Sequence, residues 1–167
     1  MSFSKSFKYG VLANKRPVAL FYTVVIALYL VFIITSFFLP GGSISGMDIS
    51  SLIFLFVFGI TSFKENFYML LQNGVSRKNM FLGTILSLFV ISVFVAVVDT
   101  ALALILELAP IENFTLSSLF QQVYGMTQYR NSSTFAVCLH EIAWNSMMKF
   151  ALAIIGLFIG CLYYKMG

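Results

Sequence analysis

The residues able to carry chemistry inside the oily parts of this chain are Asp99, Glu141, Asn145 and Lys149. Glu141, Asn145 and Lys149 follow one another at four-residue spacing, so on a helix they share one face. Asp99 stands in a different apolar run, on a face shared with Ser92, Ala96 and Ala103. An unpaired charge in hydrocarbon costs a few kcal/mol by insertion scales, so such groups pair with one another or line a polar path. At 1.5 Å per residue, Lys149 lies about 22 Å from Tyr164 and Asp99 about 28 Å from Met80, comparable levels in a bilayer. Two readings follow. One is an Asp99–Lys149 ion pair joining two helices, and the other is a translocation path lined by Asp99, Glu141, Asn145 and Lys149.

Other chemistries lack their residues. His140-Glu141 begins like a metalloprotease helix, but Trp144 stands where the second histidine belongs and the chain has 1 His in all. No catalytic, cofactor-binding or metal-ligating residue is expected, and His140 and Trp144 read as interfacial anchors. There is no phosphate-cradling Gly-x-x-x-x-Gly-Lys-Ser/Thr stretch, so any ATP must be bound by a partner. No Ser/His/Asp set can be assembled, and the chain is not expected to be an enzyme.

The elements that must hold these residues are set by composition. Of 167 residues, 60% are hydrophobic and 10% charged, and the mean hydropathy is +0.96. Those values lie outside the range of water-soluble domains and predict an integral membrane protein. Apolar runs near 18–39, 49–72, 80–109 and 139–164 are each of the order of the ~20 residues a membrane helix needs. They are continuous rather than alternating, which excludes barrel strands. The expected fold class is all-α, a polytopic transmembrane bundle with four helices in this chain. Cys138 and Cys161 would be roughly 34 Å apart on one helix, beyond disulfide reach. The net charge of +4 is not gathered into a basic, aromatic-laced surface, so no nucleic-acid partner is expected.

Cation placement predicts topology. Lys5, Lys8, Lys15, Arg16, Lys64, Arg77, Lys78 and Lys165 fall on one side of the four runs, which puts the N-terminus in the cytoplasm. Residues 1–17, with Phe3, Phe7 and Val11 among the lysines, read as an amphipathic interfacial segment. The second span is the least comfortable, because its apolar part ends at Phe63 and the helix should continue past Lys64 into the cytoplasm. Beyond the third span, Leu116, Leu119, Phe120 and Val123 predict a short amphipathic helix within an outer loop over 110–138.

Between the second and third spans lies "LLQNGVSRKNMFLG", Leu70 to Gly83. Asn73-Gly74 is a helix stop signal and Ser76 a good N-cap. Arg77 and Lys78 therefore fall in a first turn, where the helix dipole disfavours cations. Phe67, Leu70 and Leu71 share a face that needs a protein surface to cover it. On the fourth span, Ala153, Gly156 and Gly160 form a small-residue stripe that lets another helix approach closely.

With "KYGVLANKRPVALFY" before the first span and "SFKENFYMLLQNGVSRKNMFLG" after the second, the chain resembles the permease subunits of bacterial type-2 ABC exporters. The resemblance implies a plasma-membrane subunit of six helices, paired with a second permease and docked on a cytoplasmic ATP-binding-cassette ATPase that binds ATP and magnesium. It implies that the cytoplasmic connection over 67–79 is the coupling element. Phe67, Leu70, Leu71, Asn73, Gly74, Ser76, Arg77 and Lys78 would then meet the ATPase, and export of a hydrophobic or amphipathic peptide or lipid-like compound is the expected function. Four spans instead of six is a departure from that pattern. It leaves a stand-alone membrane protein with a binding, immunity or sensing role as the alternative, and a small-residue face is expected to be open to another subunit.

Overall fold

The computed structural model describes residues 11–12, 15–38, 43–45, 47–72, 76–107, 115–117, 119–124 and 134–166. Four long helices make the bundle: α1 (Lys15–Phe38), α2 (Met47–Gln72), α3 (Arg77–Glu107) and α5 (Thr134–Met166). The six-residue α4 (Leu119–Tyr124) precedes α5. Residues 73–75 join α2 to α3 at what we call the elbow end, and the opposite end carries the longer connections. The expected interfacial segment falls largely on residues outside those described, as do Asn73 and Gly74.

Each boundary has a local cause. Pro17 sits in the first turn of α1, where its missing N–H leaves nothing unpaired. Asp48 occupies the first turn of α2, where the helix dipole favours an anion. Ser76 caps α3: its Oγ accepts the Asn79 N–H at 3.5 Å, and its carbonyl accepts the Met80 N–H at 3.0 Å. That cap starts α3 at Arg77, three residues before the first apolar residue of the run. Likewise α5 begins at Thr134 rather than at Leu139.

Three helices carry stretches long and apolar enough to cross a membrane: Lys15–Thr35, Lys78–Ile105 and Phe135–Tyr163. The fourth long helix, α2, falls short of that length, as the break after Phe63 predicts. In α2 the apolar stretch is only Asp48–Phe63, because Lys64 and Glu65 end it while the helix itself runs on to Gln72.

One expectation is corrected at the loop end. Thr115 to Ser117, expected to open a helix, form instead a strand, β2 (Thr115–Ser117), paired in parallel with β1 (Ser43–Ser45), Leu116 opposite Ile44. Short Ser and Thr side chains compete for backbone hydrogen bonds and weaken a helix start there. The helix begins at Leu119, whose N–H donates to Asp48 Oδ2 at 3.0 Å. Buried Phe120 then meets Trp144 of α5, ring centroids 6.0 Å apart.

The core is built from Leu55 and Phe58 of α2, Leu88, Ile91 and Val95 of α3, and Ala153 and Leu157 of α5. The closest helix pair is α2 with α5. A β-carbon at Gly156 would overlap the Phe56 carbonyl oxygen, one at Gly59 would overlap that of Ala153, and one at Gly160 would come within 2.8 Å of that of Ile60. Glycine at these positions lets the two backbones touch. The stripe of Ala153, Gly156 and Gly160 is thus covered by α2 of the same chain.

By contrast, α1 is attached along a narrow line. Val18, Tyr22 and Val25 are buried, and Phe21 stacks on Phe54 at 4.1 Å. Leu20, Val24, Leu28, Val31 and Ile34 are exposed, which suits a helix facing lipid.

Candidate functional site

The polar residues of the long helices converge on one carboxylate. Lys149 Nζ donates to Asp99 Oδ2 at 2.6 Å, with the lysine side chain 0% and the aspartate 10% exposed. Ser51 Oγ lies 2.6 Å from the same Oδ2, and the Tyr22 hydroxyl lies 2.9 Å from Oδ1. Tyr22, Ser51, Asp99 and Lys149 belong to α1, α2, α3 and α5 respectively. One partly buried carboxylate therefore ties together all the long helices.

Each of the two hydroxyls also has a second acceptor close by. The Tyr22 hydroxyl is 3.0 Å from the Val95 carbonyl, and Ser51 Oγ is 2.9 Å from the Asp48 carbonyl. A hydroxyl has one proton to give, so each of these bonds is shared between its two acceptors. The ammonium does not divide its attention in this way. Charge-assisted hydrogen bonds are roughly twice as strong as neutral ones, and Asp99 receives one from Lys149 plus two from hydroxyls.

Asn145 and Glu141 are buried on the same face of α5 as Lys149, one and two turns nearer the loop end. Asn145 Oδ1 has no hydrogen-bond partner, and the same is true of Thr100 Oγ1 beside Asp99. Thr84, Ser87 and Ser92, in the elbow-ward half of α3, return their hydroxyls to the carbonyls of Met80, Thr84 and Leu88. Backbone return of this kind satisfies a buried hydroxyl without any partner helix. Among the described residues no group of His, Cys, Asp and Glu could hold a metal ion.

The contacts at Asp99 give the helices a common level. Counting 1.5 Å per residue, Phe63 lies about 18 Å toward the elbow end from Ser51, and Lys15 about 10 Å from Tyr22. In the other direction Glu107 and Glu141 lie about 12 Å from Asp99 and Lys149. Lys78 is about 31 Å from Asp99, so the α2–α3 hairpin reaches well beyond the level of Lys64.

Of the residues expected at the elbow, Ser76 and Lys78 are exposed. Arg77 opens α3, and Phe67, Leu70 and Leu71 lie on the helical extension of α2. The side chains of Phe67, Leu70, Leu71 and Arg77 lie outside the described residues, like Asn73 and Gly74.

Sequence reasoning missed Tyr22 and Ser51. Single hydroxyls in apolar runs are commonplace, and nothing in their spacing marks them. The one usable signal is an odd demand: an isolated acid in hydrocarbon needs several donors, and the lysine supplies only part of them.

Comparison with known proteins finds no family model, characterised protein or solved structure that matches this chain.

Proposed function

We propose that this chain is a membrane-spanning permease subunit of an ATP-binding-cassette exporter in a bacterial plasma membrane. It carries no nucleotide site of its own. A cytoplasmic ATPase binds ATP and magnesium, a second permease subunit completes the pathway, and a hydrophobic or amphipathic peptide or lipid-like compound is exported.

One observation supports this reading best: α2 is a single helix from Met47 to Gln72. Near its start Ser51 donates to Asp99, and at its far end it overruns its apolar stretch toward the elbow. A helix held at both places acts as a lever. With the positive side of the chain in the cytoplasm, a hydrocarbon layer ~30 Å thick fits between the levels of Lys64 and Glu107. The Asp99 cluster then sits near mid-bilayer, and the hairpin projects into the cytoplasm with exposed Lys78 near its tip. Lys15 lies inside the layer's edge and reaches phosphate by snorkelling. A push on the hairpin from an ATPase tilts α2 and α3 and works directly on the polar cluster.

The test is co-purification from native membranes in a mild detergent. The wild-type chain is expected to bring down a nucleotide-hydrolysing protein, and Arg77→Glu with Lys78→Glu is expected to lose it. A complex that survives both substitutions, or a preparation without any such companion, overturns the proposal.

A stand-alone bundle is the second reading, favoured by the internal burial of the small-residue stripe of α5. That burial leaves no glycine-lined face of α5 for another subunit. In that case the elbow is only a topological tether, and the same charge reversal changes nothing but membrane orientation.

A further inference from the structure

The contacts of α1 fix its register against the bundle, and that register leaves two cations deep. Tyr22 bonds to Asp99 and to the Val95 carbonyl, and Phe21 stacks on Phe54, one turn along α2 from Ser51. Lys15 and Arg16, both exposed, stand only about 10 and 9 Å from Tyr22 toward the elbow end. Tilting α1 shortens those distances along the membrane normal. Neither cation is paired with a carboxylate among the described residues.

On the other helices apolar surface continues much farther in the same direction. In α5, Leu162 and Tyr163 are 46% and 80% exposed, about 20 Å from Lys149. In α3, Phe81 and Leu82 are exposed, about 26 Å from Asp99. Helix α2 is intermediate, its apolar stretch ending at Phe63, about 18 Å from Ser51. Hydrocarbon that covers Leu162 therefore extends about 10 Å beyond the level at which Lys15 and Arg16 need a polar partner.

Two adjustments reconcile these levels. The aliphatic stems of Lys15 and Arg16 carry the charges outward over part of the difference. The leaflet meets the remainder by thinning, a modest cost beside that of two unpartnered cations in hydrocarbon. A guanidinium matches phosphate with two parallel N–H bonds, and the neighbouring ammonium adds a second positive charge.

We infer that the elbow-side leaflet is pinched beside α1, where Lys15 and Arg16 hold the phosphate of a phospholipid about 10 Å nearer the Asp99 level than phosphates stand beside α5. The bilayer around this chain is stepped rather than flat. Ala19 and Leu20, exposed just past the cations, meet the shortened acyl region. None of this depends on an ATPase partner or on which face of the membrane holds the elbow.

The experiment compares depth at two exposed alanines of nearly equal level. Ala19 in α1 lies about 4.5 Å from Tyr22, and Ala151 in α5 about 3 Å from Lys149, both toward the elbow. In a Cys138→Ser, Cys161→Ser background of the full chain, Ala19→Cys and Ala151→Cys carry a nitroxide in vesicles of phosphatidylcholine and phosphatidylglycerol. Depth is read from collisions with oxygen against those with a water-soluble nickel chelate. The label at Ala19→Cys is expected about 10 Å shallower than the label at Ala151→Cys. Adding Lys15→Gln and Arg16→Gln is expected to remove most of that difference. Equal depths in the starting pair overturn the inference, and so does a difference that survives loss of both cations. A label at Ala19→Cys that neither oxygen nor chelate reaches means that protein covers α1, which overturns it as well. Lys15, Arg16, Ala19 and Ala151 are all exposed, so these variants leave the packed core untouched.

Discussion

The Tyr22 hydroxyl and Asp99 Oδ1 stand 2.9 Å apart, across a sequence separation of 77 residues. This bond, shared with the Val95 carbonyl at 3.0 Å, is a polar attachment of α1 to the rest of the bundle, supplemented by the Phe21–Phe54 stack and a thin buried line of Val18 and Val25. Its removal should loosen α1 selectively. Tyr22→Phe is expected to lower stability by about 1 kcal/mol, the net worth of one such hydrogen bond. A spin label on the exposed side of α1 should gain mobility while one on α5 does not.

The Asp99–Lys149 pair should show strong non-additivity. Removing one partner leaves a charge without its counterion inside the bundle, so Asp99→Leu or Lys149→Met alone is expected to cost about 3–5 kcal/mol. The double replacement removes both charges and should cost much less than the sum. Reversible unfolding in mixed micelles measures the cycle. A double variant as damaged as the sum of the singles would show that the two residues act separately.

At the α2–α5 contact the cost of a methyl group depends on how deep the glycine lies. Gly156→Ala places a β-carbon inside the Phe56 carbonyl, whereas Gly160→Ala meets the Ile60 carbonyl at 2.8 Å. Overpacking of this kind typically costs about 1–3 kcal/mol. Gly156→Ala is expected at the upper end and Gly160→Ala at the lower, read as the order of thermal midpoints.

Ser76 carries a long cap, 3.5 Å from the Asn79 N–H. Ser76→Ala should cost about 0.5–1 kcal/mol of helix stability, and Ser76→Asp should retain it, since a carboxylate both accepts the bond and suits the positive end of the dipole. Hydrogen exchange in the first turn of α3 checks this locally, without relying on the global midpoint.

Much of the architecture is legible in the residue order. Apolar run length and hydropathy place the long helices, Ser76 and Pro17 mark where α3 and α1 begin, and the break at Lys64 announces that α2 has a short apolar stretch. Those signals are local, or depend only on composition along a few turns. The loop end was harder, because three-residue strands such as Thr115 to Ser117 are selected by pairing with Ser43 to Ser45, and a pairing partner 72 residues away leaves no mark nearby.

Sequence alone determined that this chain needs hydrocarbon around it and that an acid and a base within it require company, since the transfer cost of each is a property of the side chain itself. Only the tertiary structure decided who the company is. Tyr22 and Ser51 join Lys149 on Asp99 because four helices of different register cross at one level, and glycines in α2 and α5 permit that crossing. Register between helices is set by packing of whole faces, a sum over many weak contacts that no single residue announces.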